Sequence, residues 1–136
     1  MPLIDANVFL EVELGQARSK ECSSLLRRLS LGELEAYTTD FIIDTIAITM
    51  ERNRCSAKSV RSFLLSIFRY RGLRVVTLSL VDKVQATRHM EAYKLDFDDA
   101  TTFQAMKTVK ASEIVSYDHD FDKVPDIKRV EPSELR

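Results

Sequence analysis

Arg74-Val75-Val76-Thr77-Leu78-Ser79-Leu80-Val81-Asp82 passes from a short β-branched run directly into residues that open a helix. Val75, Val76 and Thr77 favour a strand, Gly72 stands before them, and Ser79 with Asp82 three positions later is a helix-capping pattern. A buried strand therefore feeds a helix. The same grammar recurs at Glu113-Ile114-Val115-Ser116-Tyr117, which follows a helical run from Asp99 to about Lys110, and again at Ile127-Lys128-Arg129-Val130. Ile4 puts a first strand almost at the N-terminus. Short apolar strands alternating with helices predict an α/β fold around a mostly parallel sheet.

Helices are expected over Arg18–Leu31 and Phe41–Arg52, and the clearest amphipathic pattern is Val60, Phe63, Leu64, Ile67 and Phe68, at i, i+3, i+4, i+7 and i+8. The three glycines, Gly15, Gly32 and Gly72, each follow a helical stretch and are read as left-handed helix ends. At 136 residues, 45% hydrophobic and 30% charged, the chain is expected to be one domain with a sizeable core. No apolar run nears the roughly 20 residues of a membrane span, and the start lacks a signal peptide's pattern, so a cytoplasmic location is expected. Cys22 and Cys55, far apart and without histidine neighbours at ligand spacing, are expected to be reduced and half-buried.

In open parallel sheets, ligands bind at the carboxyl ends of the strands. Asp5 follows Pro2-Leu3-Ile4 and Asp118 follows the strand ending at Tyr117, while Asp98 and Asp99 open a helix that faces the same edge. Each alone is an ordinary turn or cap residue; together they converge. Two like charges at 4 Å repel by about 4 kcal/mol at an effective dielectric near 20, so converging carboxylates call for a cation. An all-oxygen set without paired His or Cys favours Mg2+ or Mn2+, ions suited to phosphodiester hydrolysis.

The net charge of −1, from 20 basic and 21 acidic side chains, predicts no global attraction to nucleic acid. Locally the balance differs. From Arg52 to Arg74 every charged residue is basic, and Arg69, Arg71 and Arg74 around Tyr70 are candidates for contact with RNA phosphates and a base, set against an ordinary solvated helix face. His119, between Asp118 and Asp120, is read as a solvent-facing turn residue. Hydrolase triad chemistry lacks a Gly-x-Ser-x-Gly elbow.

Leu3-Ile4-Asp5-Ala6-Asn7-Val8-Phe9-Leu10 resembles the opening strand of PIN domains, with its first metal-binding aspartate and a neighbouring Asn. Leu95-Asp96-Phe97-Asp98-Asp99-Ala100 is similar to that family's third acidic segment, and Ile114-Val115-Ser116-Tyr117-Asp118-His119-Asp120-Phe121 to its closing pattern of a hydrophobic residue, Thr or Ser, then Asp-x-Asp-Phe. The resemblance implies a three-layer α/β/α sandwich and a Mg2+- or Mn2+-dependent endoribonuclease. For a short chain it also implies the toxin half of a VapBC-type toxin–antitoxin pair, a homodimer with a protein antitoxin over its acidic cleft. Carried over by position, Asp5, Asp99 and Asp118 are metal or water ligands, Asp120 an accessory acid, and Asn7 and Ser116 hydrogen-bonding supports, with Asp98 beside them. The implied reaction is in-line attack of water on RNA, leaving a 5′-phosphate and a 3′-hydroxyl.

One position departs from the pattern. Thr38-Thr39-Asp40-Phe41-Ile42-Ile43-Asp44 matches the segment after the second strand, but Thr45 stands where the family's glutamate is usual. Asp44 points about 100° away from that position on an ideal helix, and substitutes only if the helix is rotated or begins later. A catalytically degenerate PIN domain that binds RNA or protein is the alternative this raises. A haloacid-dehalogenase-like phosphatase would need an acid where Asn7 stands, and a response-regulator receiver places its acids differently.

Overall fold

The computed structural model describes residues 1–135. Five strands, β1 (Leu3–Ile4), β2 (Ala36–Thr39), β3 (Leu73–Val76), β4 (Glu113–Val115) and β5 (Lys128–Val130), form one sheet in the order β3-β2-β1-β4-β5. Every pairing is parallel: Leu3 lies opposite both Tyr37 and Ile114, and Ile114 opposite Arg129. Helices α1 (Ala6–Glu13) and α2 (Ser19–Ser30) join β1 to β2, and α3 (Asp40–Arg52) with α4 (Ala57–Ile67) joins β2 to β3. Helices α5 (Leu80–Tyr93) and α6 (Phe97–Val109) carry the chain from β3 back to β4.

The order explains the layers. From β1 the chain steps outward through β2 to β3, then returns past β1 to β4, so right-handed crossovers put α1 to α4 on one face and α5 with α6 on the other. Helix α1 packs against α2 and α3, α3 against α4, and α5 against α6. The central strands are buried on both sides, with Leu3, Ile4, Ile114 and Val115 fully covered, as a doubly covered parallel sheet requires. The three-layer α/β/α expectation holds.

A main core joins the sheet to α1, α2, α3, α4 and part of α6 around Phe9, Phe63, Ile42, Ile46 and Met106. A smaller cluster holds the α5–α6 hairpin through Ala86, Leu95, Ala100, Phe103 and Val124. Strands run shorter than expected, since the chain turns toward the site as soon as pairing ends: Leu78 and Tyr117 both lie beyond their strands.

Four local expectations need correction. The strand around Val75, expected to be buried, is β3 at the edge of the sheet, with Arg74 and Val75 exposed. Gly15 and Gly32 are left-handed, but Gly72 is not; a Cβ there would sit 1.9 Å from the Leu34 carbonyl oxygen, so close backbone approach is what demands glycine. On α4 only Phe63 is fully buried, and Phe68, beyond the helix end, is 87% exposed. Cys22 is wholly buried rather than half-buried, and both cysteines are free.

A candidate metal centre at the switch point of the sheet

The strand order reverses between β1 and β4, and at such a switch point the two loops diverge and leave a crevice at the carboxyl edge. Asp5 leaves β1 into it, and its amide still pairs with the Val115 carbonyl across the gap. As N-cap of α1, Asp5 accepts from the Ala6 amide at 2.8 Å through Oδ1. Its Oδ2 accepts from the Ser116 hydroxyl at 2.7 Å and from the Asn7 amide group at 3.4 Å.

Ser116, the first residue past β4, is fully buried and gathers the site. Its Oγ donates to Asp5 and accepts from Asn7 Nδ2 and from the Asp118 amide, both at 3.0 Å. Asn7 Oδ1 in turn accepts from the Tyr117 amide. The first turn of α1 is thereby tied to the loop after β4. Asp118 caps the short 3-10 turn His119–Lys123 by accepting from the Asp120 amide at 2.9 Å.

Asp99 comes from the opposite face, on the first turn of α6, whose N-cap Asp96 accepts from the Asp99 amide. One carboxylate oxygen from each of Asp99, Asp118 and Asp120 lies within 4.8 Å of the others. Asp5 is adjacent but outside this trio; Asp98, half-buried, flanks it. Asp99 is 6% exposed, and no hydrogen bond or ion pair reaches its carboxylate among the described residues.

Burial, then the neighbouring Asp118, pushes the Asp99 carboxyl up to about 8. Asp5 is raised to about 6, chiefly by burial and against the lowering effect of Ser116 and Ala6. Asp98 is also raised, by burial and then by Asp96 and Asp118. Acids held together from buried Asp99 through half-buried Asp118 to exposed Asp120, with no ion pair to Asp99 among the described residues, offer oxygen and neither nitrogen nor sulfur, and so fit a hard divalent cation.

Other expected residues lie elsewhere. Asp44 is exposed on α3 and outside the acidic trio; Thr45 is half-buried. Arg69 and Arg71 precede β3 and Arg74 is its second residue, near the amino edge of a sheet whose acids lie at the carboxyl edge. Arg74 also lies 3.9 Å from Glu35. A cleft of about 480 Å3 between α3 and α4, lined by Ile48, Cys55, Val60 and Leu64 among others, includes none of the site's acids.

Two contributors escaped the sequence reading. Arg129 on β5 reaches back to the loop that carries Asp118 and Asp120. Tyr117 fixes the same loop to α2: its hydroxyl bonds Glu21 and meets Cys22 Sγ at 3.3 Å, and the Arg18 guanidinium lies 4.2 Å over its ring. An Arg in a strand carries no signal of what it grips. The Tyr117 contact spans 95 residues of sequence to Cys22, which no local pattern reveals.

The fold is shared with solved structures that include a toxin and a toxin–antitoxin complex. The VapC20 toxin of Mycobacterium tuberculosis, a Sarcin-Ricin loop cleaving toxin, superposes with a TM-score of 0.76 at 17% identity, covering 92% of this chain and 95% of that one. A toxin–antitoxin complex from Klebsiella pneumoniae gives 0.71 at 14% identity, covering 99% of this chain and 100% of the other. FitAcB from Neisseria gonorrhoeae gives 0.66 at 14% identity, with 99% and 100% covered. No curated protein sequence matches the chain. Residues 3–127 match the family described as PIN domain, and with the switch-point crevice and its acids in place, the chain belongs to the PIN domain family.

Proposed function

We propose that this chain is a Mg2+- or Mn2+-dependent endoribonuclease and the toxin half of a VapBC-type toxin–antitoxin pair. The observation that carries the reading is the convergence of Asp99, Asp118 and Asp120, with Asp5 beside them, where among the described residues no cation pairs with the Asp99 carboxylate. PIN domains are usually nucleases. Asp99, Asp118 and Asp120 would hold the ion, with Asp5 and Asp98 completing the negative wall. When bound, such an ion acidifies water and offsets charge on a phosphoryl oxygen.

The chain's own groups do the rest. Ser116 and Asn7 fix the Asp5 carboxylate, and Asp5, raised to about 6, is ionised at neutral pH yet basic enough to take a proton from an attacking water. Water adds to phosphorus, the bond to the 3′ oxygen breaks, and the 3′ oxygen leaves with a proton, giving a 5′-phosphate and a 3′-hydroxyl. Arg69, Arg71 and Arg74, at the other edge, would hold RNA at a distance from the cut. A homodimer and a protein antitoxin complete the reading; the toxin–antitoxin complex among the similar structures and the exposed Leu80, Val81, Val84 and Phe68 support an assembly.

Purified protein incubated with a pool of single-stranded and structured RNA tests this directly. Cutting is expected with Mn2+ or Mg2+, and absent with EDTA or in the Asp5→Asn/Asp118→Asn variant. A folded wild-type chain that cuts nothing under any metal favours the second reading, a degenerate PIN module, which Thr45 and the outlying Asp44 motivate.

A further inference from the structure

Among the described residues Arg129 is the most densely engaged charge, and neither metal binding nor RNA contact uses it. Its side chain, on β5, is 12% exposed. Nε donates to Asp122 Oδ1 at 2.9 Å, Nη1 donates to the Ser116 carbonyl at 3.1 Å, and Glu131 Oε2 lies 3.5 Å from Nη1. His119 Nδ1 sits 3.2 Å from Nη2 and 2.9 Å from Asp122 Oδ2; one nitrogen cannot serve both at once, so the three oxygens define the grip.

These contacts bracket the acids. Ser116 and Asp122 are the two ends of the segment that carries Asp118 and Asp120, and one planar guanidinium holds both ends to β5. Inside that bracket the Asp118 amide is bonded to Ser116 Oγ and the Asp120 amide to Asp118 Oδ1. A lysine, as a point charge without a fork, cannot span the two ends in the same way. We propose that Arg129 is a positioning residue, a clamp that sets Asp118 and Asp120 in the spacing of a cation site. The inference rests on the metal-centre reading above. Partners that orient a ligand commonly change metal affinity by about 10–100-fold when removed.

The test uses the full chain, with Arg129→Met and Arg129→Lys. In metal-free protein, amide exchange at Asp118 and Asp120 is expected to quicken at least about tenfold in the Met variant, while the Asp5 amide, bonded to Val115, keeps its rate. Calorimetric Mn2+ affinity should fall by about 10–100-fold, with Lys intermediate. Asp122→Asn should cost less in the Met variant than in the wild type, because its bond to Arg129 is already gone and only the His119 contact is left to lose. Amide rates at Asp118 and Asp120 within about twofold of wild type overturn the clamp, and so does quickened exchange with unchanged Mn2+ affinity. A wild-type chain without Mn2+ affinity instead overturns the proposed function; the holding of the loop is then decided by the exchange rates alone.

Discussion

A negative charge on Asp99 would lie 6% exposed, facing Asp118, with no hydrogen-bond donor to its carboxylate among the described residues. In the metal-free chain Asp99 therefore keeps its proton until the pH nears 8, and Asp5 does so until about 6. The unfolded chain releases both near 4. Between those values the native state binds more protons than the unfolded state, so these two acids make stability fall as pH rises from about 4 to about 8. Asp99→Asn removes the larger share. Thermal unfolding of the metal-free variant should show a flatter pH dependence and a higher Tm than wild type at pH 8; a wild type that grows more stable across this window at an unchanged rate in the variant contradicts the burial argument. The aspartates were legible because each follows a strand or opens a helix. The resemblance placed Asp120 among the acids of the site; that its oxygen lies with those of Asp99 and Asp118 while Asp5 stands outside the trio was not legible, because it is set by tertiary placement.

Elements formed where local chemistry was strong. Ser79 and Asp82 make the reciprocal capping box their spacing predicts, and Thr39 caps α3 through its hydroxyl on the Ile42 amide. Helix α6 shows why periodicity falls short: Asp99, Ala100, Thr101, Thr102, Phe103, Ala105 and Met106 are all buried, so no polar face marks its turns. Helix α4 errs the other way, with Leu64 and Phe68 exposed although their spacing suits a core. Gly72 is the element-level constraint that spacing misassigned. Its amide donates to the Leu29 carbonyl, its carbonyl accepts from Ala36, and the space for a side chain is filled by the Leu34 backbone. Gly72→Ala must push β2 and β3 apart and should cost about 1–3 kcal/mol or more. A urea midpoint lowered without a change of slope is the expected record; an unshifted midpoint contradicts the close approach.

For the whole molecule, the reversal of strand order is the organising fact. It brings the end of β1, the loop after β4 and the start of α6 to one crevice from opposite faces of the sheet, whereas the arginines around β3 gather near the other edge. The alternation of strands and helices made the parallel sheet legible, and the resemblance of three short motifs made the family so. Which edge the basic run would occupy was not, because it depends on where α4 hands over to β3. On the proposed function, the aspartates at this crevice are assembled for a divalent cation. Calorimetric titration of metal-free protein with Mn2+ at pH 7.5, beside Asp99→Asn, tests it most directly. Saturable binding with proton release is expected in the wild type and its loss in a folded variant; a folded wild-type chain without saturable binding, or a variant that binds as tightly, shows that these aspartates are not assembled for a cation.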